Sequence, residues 1–198
     1  MSGQGRQAKI LSETQILAAL AVVASGRYPL RDRVMVLLSV KAGMRAKEIA
    51  CLSWSMVTDA EGAISDAIHL TNDASKGKRG GRTIPLNAAL REALTSLKAE
   101  RGEKAAPHRR VVYSERRDGY SAAAVQVWFG RLYRKLGFTG ASSHSGRRTF
   151  ITQAARKIIQ CGGSLRDVQE LAGHASLATT QSYIAGDAEA KRRVVALV

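Results

Sequence analysis

A histidine and a tyrosine near the C-terminal end of the sequence could act together on one substrate. His174 lies on a glycine turn, and Tyr183 follows nine positions later. Ser176 is predicted to cap a short helix between them, residues 177–183. Alone, such a pair is more often a turn and a half-buried aromatic residue. Further cationic and imidazole groups precede it, and the whole set suggests a site that cleaves a phosphodiester with tyrosine as nucleophile: Arg45, Lys76, His144 and Arg147.

The first arginine of this set is predicted to face inward from a short helix, residues 45–52. Ile49 and Leu52 form the buried side of that helix, and Arg45 precedes Ile49 by four positions on the same face. An inward arginine is unfavourable unless an anion meets it, and Glu48 could supply part of the negative charge. The alternative is an ordinary surface ion pair between Arg45 and Glu48.

A histidine and a second arginine are predicted to share the start of another helix, for which Ser143 is the N-cap. The buried stripe of this helix consists of Ile151, Ala154, Ala155 and Ile158. Extended toward the N-terminus, the stripe includes His144 and Arg147. Because free backbone N–H groups and the helix dipole also favour an anion there, the pair predicts a bound phosphate. Either group alone would more often be a structural hydrogen-bond donor.

The apolar period changes to two at residues 67–70 and 82–86, which are predicted to be the strands of a hairpin. The loop between them, residues 72–81, contains the candidate catalytic Lys76. Its density of positive charge predicts phosphate contacts from three further side chains: Lys78, Arg79 and Arg82. The alternative is a solvated turn. Residues 111–114 are predicted to be a third short strand.

The N-terminal part of the chain predicts two helices that pack behind these groups. The first covers residues 12–24 and begins with a capping box at Ser12. Its apolar stripe consists of Ile16, Leu17, Leu20, Val23 and Ala24. Pro29 begins the second helix, whose core, residues 34–40, is apolar on almost all sides and is therefore predicted to be central.

Three later helices are predicted at residues 87–99, 121–136 and 164–171, and Ser164 and Asp167 are predicted to cap the start of the third. The core-facing side of the second consists of Val125, Trp128, Phe129, Leu132 and Leu136. Its opposite side is predicted to face solvent or DNA and consists of Gln126, Arg131, Arg134 and Lys135. A last helix, residues 187–198, ends in apolar residues that little chain remains to bury, so it is predicted to dock on a neighbouring protomer.

These elements predict a mainly α fold with a small antiparallel β-sheet, of class α+β. No repeat or low-complexity linker interrupts the pattern, so a single domain is expected over residues 12–198, after a disordered tail, residues 1–11.

Charge and cysteine content limit the classes of partner. The sequence has 31 basic and 16 acidic side chains, a net charge of +15. Nucleic acid is the leading partner, and a membrane surface is less favoured because the basic residues are not gathered on one amphipathic helix. Cys51 and Cys161 are predicted to be buried thiols of a reduced, cytoplasmic protein, and the first ten residues do not form a signal peptide. No carboxylate cluster or Gly-rich phosphate loop is present, so neither a metal nor another cofactor is expected.

In this order and spacing, the motifs resemble those of the tyrosine recombinases, or phage integrases, over residues 12–198. The matching features are the first arginine motif at residues 43–49, a hairpin lysine at Lys76, the H-x-x-R motif at residues 144–147, a final histidine at His174 and a nucleophile at Tyr183. The hairpin is one residue longer than is common, so Lys78 is an alternative to Lys76. Gly146 and Arg148 differ from the family's usual residues, and neither change removes a reacting group.

The resemblance implies that Tyr183 attacks phosphorus and forms a covalent 3′-phosphotyrosyl link. His144 would take or relay the phenol proton, and Lys76 would protonate the departing 5′-oxygen. The covalent link conserves the energy of the broken bond, so that strands can be rejoined without ATP or a metal.

The resemblance also implies how the phosphate is held. Arg45 and Arg147 would bind the non-bridging oxygens, whose charge grows in the pentavalent state. His174 would complete the hydrogen-bond shell, and Glu48 matches the usual acidic partner of the first arginine.

The implied function is site-specific recombination of double-stranded DNA in a bacterial cytoplasm or nucleoid, by a protein of phage or mobile-element origin. The family usually carries a helical DNA-clamping domain, whereas about ten residues precede the first helix here. The alternatives are a minimal recombinase and a clamp that was lost or is supplied by an accessory DNA-binding protein. Self-association on DNA is expected through residues 187–198. Two other functions are a type IB topoisomerase-like activity and a non-catalytic DNA-binding regulator, and the complete set of reacting groups disfavours the latter.

Overall fold

The computed structural model describes residues 8–74, 81–115, 118–183 and 195. Its helices and strands, in chain order, are α1 (Glu13–Ala24), α2 (Pro29–Lys41), α3 (Ala46–Cys51), β1 (Ala67–Leu70), β2 (Arg82–Pro85), α4 (Ala88–Arg101), α5 (Ala122–Lys135), α6 (Ser145–Lys157), α7 (Leu165–Ala172) and α8 (Leu177–Gln181). Short 3₁₀ turns occur at Trp54–Met56, Gly102–Ala105 and Ile158–Cys161. The predicted class, mainly α with a small antiparallel sheet, is confirmed.

The chain divides into two compact units, Met1–Phe150 and Ile151–Val198, and the boundary lies within α6. The prediction of a single domain over residues 12–198 stays a prediction. Within the first unit, the described end of the predicted tail is bonded: the Leu11 amide donates to Thr149 Oγ1 at 2.8 Å, and Arg148 donates to the Ala8 carbonyl.

Helix α2 is the centre of the first unit. Residues 34–40 are all buried, as the apolar run predicts, and Pro29 occupies the first turn. Helix α1 has the predicted capping box between Ser12 and Gln15. The predicted stripe of α1 is wrong at Leu17 and Ala24, which are exposed, because the buried face is the narrower one that includes Ala19 and Val23.

The two predicted strands are confirmed, and they pair antiparallel with Leu70 opposite Arg82 and Ala67 opposite Pro85. The predicted third strand at residues 111–114 is wrong. There the Val111 amide donates to the Leu52 carbonyl, and the neighbouring pairing is a single bridge between Ser53 and Arg110. The segment contains two consecutive valines, which are typical of a strand, but here both are fully buried outside any sheet.

Helix α5 has the two faces that its periodicity predicts. Val125, Phe129 and Leu132 are buried, whereas Trp128 and Leu136 are half-buried. Tyr133 is also buried, which the stripe did not predict. The basic side is exposed as predicted and consists of Gln126, Arg131, Arg134 and Lys135.

The second unit contains the end of α6 followed by two short helices. Ser164 caps α7 through a capping box with Asp167, and Ser176 caps α8, both as predicted. Gly173 ends α7 in the left-handed conformation, with φ of 61°. The predicted helix over residues 187–198 lies outside the described residues, apart from position 195.

The two cysteines are more accessible than the sequence predicts. Cys161 is exposed and Cys51 is half-buried, so the prediction of two buried thiols is wrong. Cys161 ends the 3₁₀ turn that follows α6, where little of the chain covers it.

In the described part of the chain, no helix is both long and apolar enough to cross a bilayer.

Candidate active site

Arg45 lies at the N-cap of α3, immediately after a tight turn. Gly43 in that turn has φ of 61°, a conformation that side chains with a Cβ rarely adopt. A Cβ at Gly43 would also collide with the ring of Phe150. The turn therefore depends on glycine, and it places Arg45 so that its amide and its side chain both meet Glu48, at 2.7 Å and 2.9 Å.

Glu48 is wholly buried, and two arginines surround its carboxylate. Oε1 accepts from Arg45 Nη1 at 2.9 Å and from Arg82 Nη1 at 2.7 Å. Oε2 accepts from the Arg45 amide at 2.7 Å and from Arg82 Nη2 at 2.9 Å. Burial acts to raise the pKa of Glu48, but the hydrogen bonds and charges of Arg82 and Arg45 together outweigh it and hold the pKa below its ordinary value.

The placement of Arg82 differs from the prediction that it contacts DNA. Its side chain is only 9% exposed and forms a two-pronged ion pair with Glu48. Because Arg82 is the first residue of β2, this pair ties the described base of the hairpin to α3. The prediction failed because Glu48 and Arg82 are 34 positions apart in sequence, so no local pattern joins them. Lys76, Lys78 and Arg79 lie outside the described residues.

Arg147 is buried in the first turn of α6, as the stripe predicts. Its Nη1 donates to the Gly43 carbonyl at 2.6 Å, two residues before Arg45. Since consecutive Cα atoms are about 3.8 Å apart, this bond brings Arg147 to the turn that holds Arg45. Gly146 permits the approach, because a Cβ there would overlap Ser39 Oγ on α2. The departure from the family's usual residue at position 146 thus has a steric reason.

His144 does not share the burial of Arg147. The structure leaves His144 exposed, so the prediction that it faces inward is wrong. The predicted cap at Ser143 is also wrong, because residues 143 and 144 form a turn ahead of the helix. In that turn the His144 amide donates to Ser142 Oγ, and the Ser142 amide donates to Ser145 Oγ. Helix α6 therefore begins after His144, and the helical stripe does not extend to it.

His174 and Tyr183 lie together in the second unit. Their rings stack with centroids 5.4 Å apart and planes inclined by 25°. His174 is buried, and its Nδ1 lies 3.0 Å from Oγ1 of the fully buried Thr180. Gln169 holds the backbone of His174 from both sides, since its Nε2 donates to the His174 carbonyl and its carbonyl accepts from the His174 amide. Tyr183 remains half-buried.

The predicted residues that the structure describes are thus divided between the two units. Arg45, His144 and Arg147 belong to the first unit, and His174 and Tyr183 belong to the second. The sequence reasoning missed two supporting residues, Gln169 and Thr180. Thr180 could have been suspected because it lies inside the capped helix between His174 and Tyr183, but nothing in a single sequence shows that a threonine is buried. Among the described residues, no cluster of side chains is suited to hold a metal ion.

Comparison with known proteins identifies the family. The model of the phage integrase family matches residues 9–190. The chain belongs to the phage integrase family.

Individual relatives are named tyrosine recombinases. The chain is 30% identical over 177 residues to tyrosine recombinase XerC of Xylella fastidiosa strain 9a5c, covering 88% of this chain and 55% of that protein. It is 30% identical over 190 residues to tyrosine recombinase XerD of Ralstonia nicotianae, covering 90% and 56%. The chain thus spans about half the length of the curated relatives that it matches.

Solved structures support the fold. The XerA recombinase crystal structure superposes with a TM-score of 0.71 at 25% identity, covering 95% of this chain and 64% of XerA. XerH recombinase in its pre-cleavage complex with difH superposes with a TM-score of 0.71, at 21% identity over 98% of this chain and 55% of XerH. The predicted fold class, that of a tyrosine-recombinase catalytic domain, is confirmed.

Proposed function

We propose that the chain is a site-specific DNA recombinase that cleaves and rejoins strands through a covalent 3′-phosphotyrosyl intermediate. The observation that carries the proposal is the pairing of His174 with Tyr183, in a chain that also holds Arg45 and Arg147 around one turn. Family membership and relatives named tyrosine recombinases support it. So does the XerH structure, which is described as bound to its difH substrate before cleavage.

In the proposed reaction, the Tyr183 oxygen attacks phosphorus, a bond to the phenol oxygen forms, and the bond to the 5′-oxygen breaks. The phenol proton leaves toward His144 or bulk water, and Lys76, or Lys78 in its place, protonates the departing oxygen. The exposure of His144 is compatible with this role because a proton acceptor must be reachable by substrate or solvent. Religation is the same sequence in reverse, so no outside energy source is needed.

The charge that develops on the phosphorane is the part of the barrier that the arginines would lower. Arg45 and Arg147 would each donate to a non-bridging oxygen, and arginine suits this task because its planar fork stays charged. His174 would donate to the same shell. Thr180 would orient that imidazole through the hydroxyl beside Nδ1, and Gln169 would hold the backbone that carries it.

Double-stranded DNA is the proposed partner. Its contacts are assigned to the exposed basic side of α5 and to hairpin residues outside the described part: Gln126, Arg131, Arg134, Lys78 and Arg79. The net charge of +15 supports a polyanionic ligand. The affinity for DNA should weaken with salt: the slope of log K against log salt concentration should be roughly −0.9 for each phosphate neutralised. Arg131→Ala should reduce the magnitude of this slope by about one. A slope that stays the same in this variant would contradict the assignment.

Assembly is a further part of the proposal. Strand exchange needs at least two protomers on DNA, and residues 187–198 are the proposed contact, alone or beside an accessory DNA-binding protein in the bacterial nucleoid. Light scattering of the protein with a DNA duplex should show two protomers per site. Deletion of residues 187–198 should then leave one protomer per site, and an unchanged stoichiometry would reject this role.

Trapping of the covalent intermediate tests the function. Duplexes drawn from a randomised library, each nicked so that the 5′-oxygen fragment diffuses away, should yield a protein–DNA adduct that resists denaturant and disappears on proteolysis. Tyr183→Phe should bind the same duplexes and form no adduct, whereas the control Tyr113→Phe should form it normally. An adduct in Tyr183→Phe, or none in the wild-type protein on duplexes that it binds, would overturn the proposal.

A further inference from the structure

Arg82 is a buried charge for which the proposed reaction provides no task. Its side chain is 9% exposed, compared with 25% for that of Arg45, so Arg45 is the more accessible of the two to a ligand. The two arginines meet at one carboxylate, that of Glu48, which is wholly buried.

The geometry around Glu48 is saturated. An ionised carboxylate offers about four lone-pair sites, and Glu48 receives one hydrogen bond from each arginine on each of its oxygens. Arg82 donates through both terminal nitrogens, a two-pronged arrangement that fixes the plane of the carboxylate and not only its position. The lone pairs that remain then face Arg45, which they hold by its amide and its guanidinium together.

The net charge of Arg45, Glu48 and Arg82 also favours an interaction with phosphate. A lone ion pair between Arg45 and Glu48 would be neutral and would leave little attraction for a phosphate. With Arg82 included, the three side chains carry a net charge of +1, while the carboxylate still orients Arg45. An arginine is better suited than a lysine to this task, because only the guanidinium fork can meet both carboxylate oxygens at once.

We propose that Arg82 is a positioning residue for DNA cleavage, which acts through the Glu48 carboxylate to hold the Arg45 guanidinium toward the scissile phosphate. Arg82 itself does not touch the substrate. The inference rests on the proposed function, in which Arg45 binds a non-bridging oxygen. It extends the active-site assignment to the first residue of β2, next to the basic hairpin in sequence.

The test compares single-turnover cleavage by the full chain with the affinity for the same nicked duplex. Arg82→Gln should slow cleavage about tenfold to a hundredfold, the range seen for groups that orient the ligands of catalytic metals, while the Kd for DNA stays within about twofold. Arg82→Lys, which keeps the charge but loses the fork, should fall between Arg82→Gln and wild type. The matched control is Arg91→Gln, because Arg91 pairs with Asp66 on the surface. This variant should cleave DNA at the wild-type rate. Circular dichroism and thermal unfolding establish that each variant is folded.

A double substitution separates positioning from a direct contact. If Arg82 acts through Glu48, then the Glu48→Gln/Arg82→Gln protein should cleave no more slowly than Glu48→Gln alone. A merely structural role predicts that the two losses add. A second readout is pH: without Arg82, burial should raise the pKa of Glu48, so the cleavage rate of Arg82→Gln should fall more steeply on acidification from about pH 7 to about pH 5 than that of Arg91→Gln.

The outcomes are distinguishable. Loss of cleavage in Arg82→Gln, with preserved affinity and no further loss in the Glu48→Gln background, supports the inference. Wild-type rates in folded Arg82→Gln, or a fully additive loss in the double variant, overturn it and leave the recombinase proposal intact. If the wild-type protein itself forms no adduct on DNA that it binds, then the proposed function fails first.

Discussion

Two regions of the molecule hold candidate catalytic side chains by different physical means. Around Glu48 in the first unit, the partners are ions: a buried carboxylate and the guanidinium groups of Arg45 and Arg82. Around His174 in the second unit, the contacts include a threonine hydroxyl, backbone groups and a stacked phenol ring. The first region thus depends on ion pairs, whereas the contacts named in the second region are with a hydroxyl, the backbone and a ring.

The difference suits the two tasks. A cation that is to bind phosphate is best oriented by a buried anion that also pairs with a second cation, because the three groups together then keep a net positive charge. An imidazole that is to donate a hydrogen bond is oriented by the hydroxyl beside its Nδ1 and by the hydrogen-bonded backbone that carries it. The comparison predicts that substitutions in the first region cost far more stability than substitutions in the second.

The largest effect is expected at Glu48. Glu48→Gln leaves Arg82 buried beside a neutral amide, and breaking a buried pair by removing one partner costs about 3–5 kcal/mol. Urea unfolding at neutral pH should show this loss in the free energy of unfolding. The control Asp66→Asn, which breaks a surface pair with Arg91, should change it by about 1 kcal/mol or less. Equal losses in the two variants would contradict the ionic description of the first region.

The next effect concerns the close approach of α6 to α2. Gly146→Ala places a Cβ against Ser39 Oγ, and such overpacking costs about 1–3 kcal/mol. Gly130 within α5 has open space around it, so Gly130→Ala should stabilise the protein by up to about 1 kcal/mol. Thermal unfolding should therefore show shifts of opposite sign. A stabilising Gly146→Ala would mean that the packing beneath Arg147 is looser than described.

A smaller loss is expected in the second region. Thr180→Val removes the hydroxyl beside His174 Nδ1 and should cost about 1–3 kcal/mol, the range for a buried polar group that loses its partner. Thr179→Val, on the exposed side of the same helix, is the matched control and should cost less. If Thr180→Val costs as much as Glu48→Gln, the contrast between charged and neutral support fails.

The smallest effect is the dependence of stability on pH. The pKa of Glu48 is lowered in the folded protein from an ordinary value of 4.5, so its stabilisation is complete above about pH 4.5 and is lost as the pH falls through the lowered value. The difference in unfolding free energy between wild type and Glu48→Gln should be constant from neutral pH down to about pH 4.5 and should shrink below it. A difference that grows on acidification would have the wrong sign.

Local features were predictable from the sequence because they join residues three or four positions apart. The capping boxes that begin α1 and α7, the cap at Ser176 and the pairing of Arg45 with Glu48 are all of this kind. The spacing of neighbouring residues determines such contacts wherever the helix forms.

Features that depend on distant parts of the chain were not predictable. Arg82 pairs with Glu48 across 34 positions, and the bond from Arg147 to Gly43 spans 104. Val111 and Val112 suggested a strand in the sequence. In the structure they are buried by tertiary contacts and not by pairing in a sheet. The exposure of His144 depends on where α6 begins, and helix ends are the least certain part of any periodic pattern.

The most direct test of the central claim is to identify the residue that carries DNA in the trapped adduct. Tryptic digestion should release residues 167–191 as one peptide, in which Tyr183 is the only tyrosine. Mass spectrometry of the nuclease-trimmed adduct should find a nucleotide 3′-phosphate on Tyr183. A nucleotide on any other residue would contradict the account.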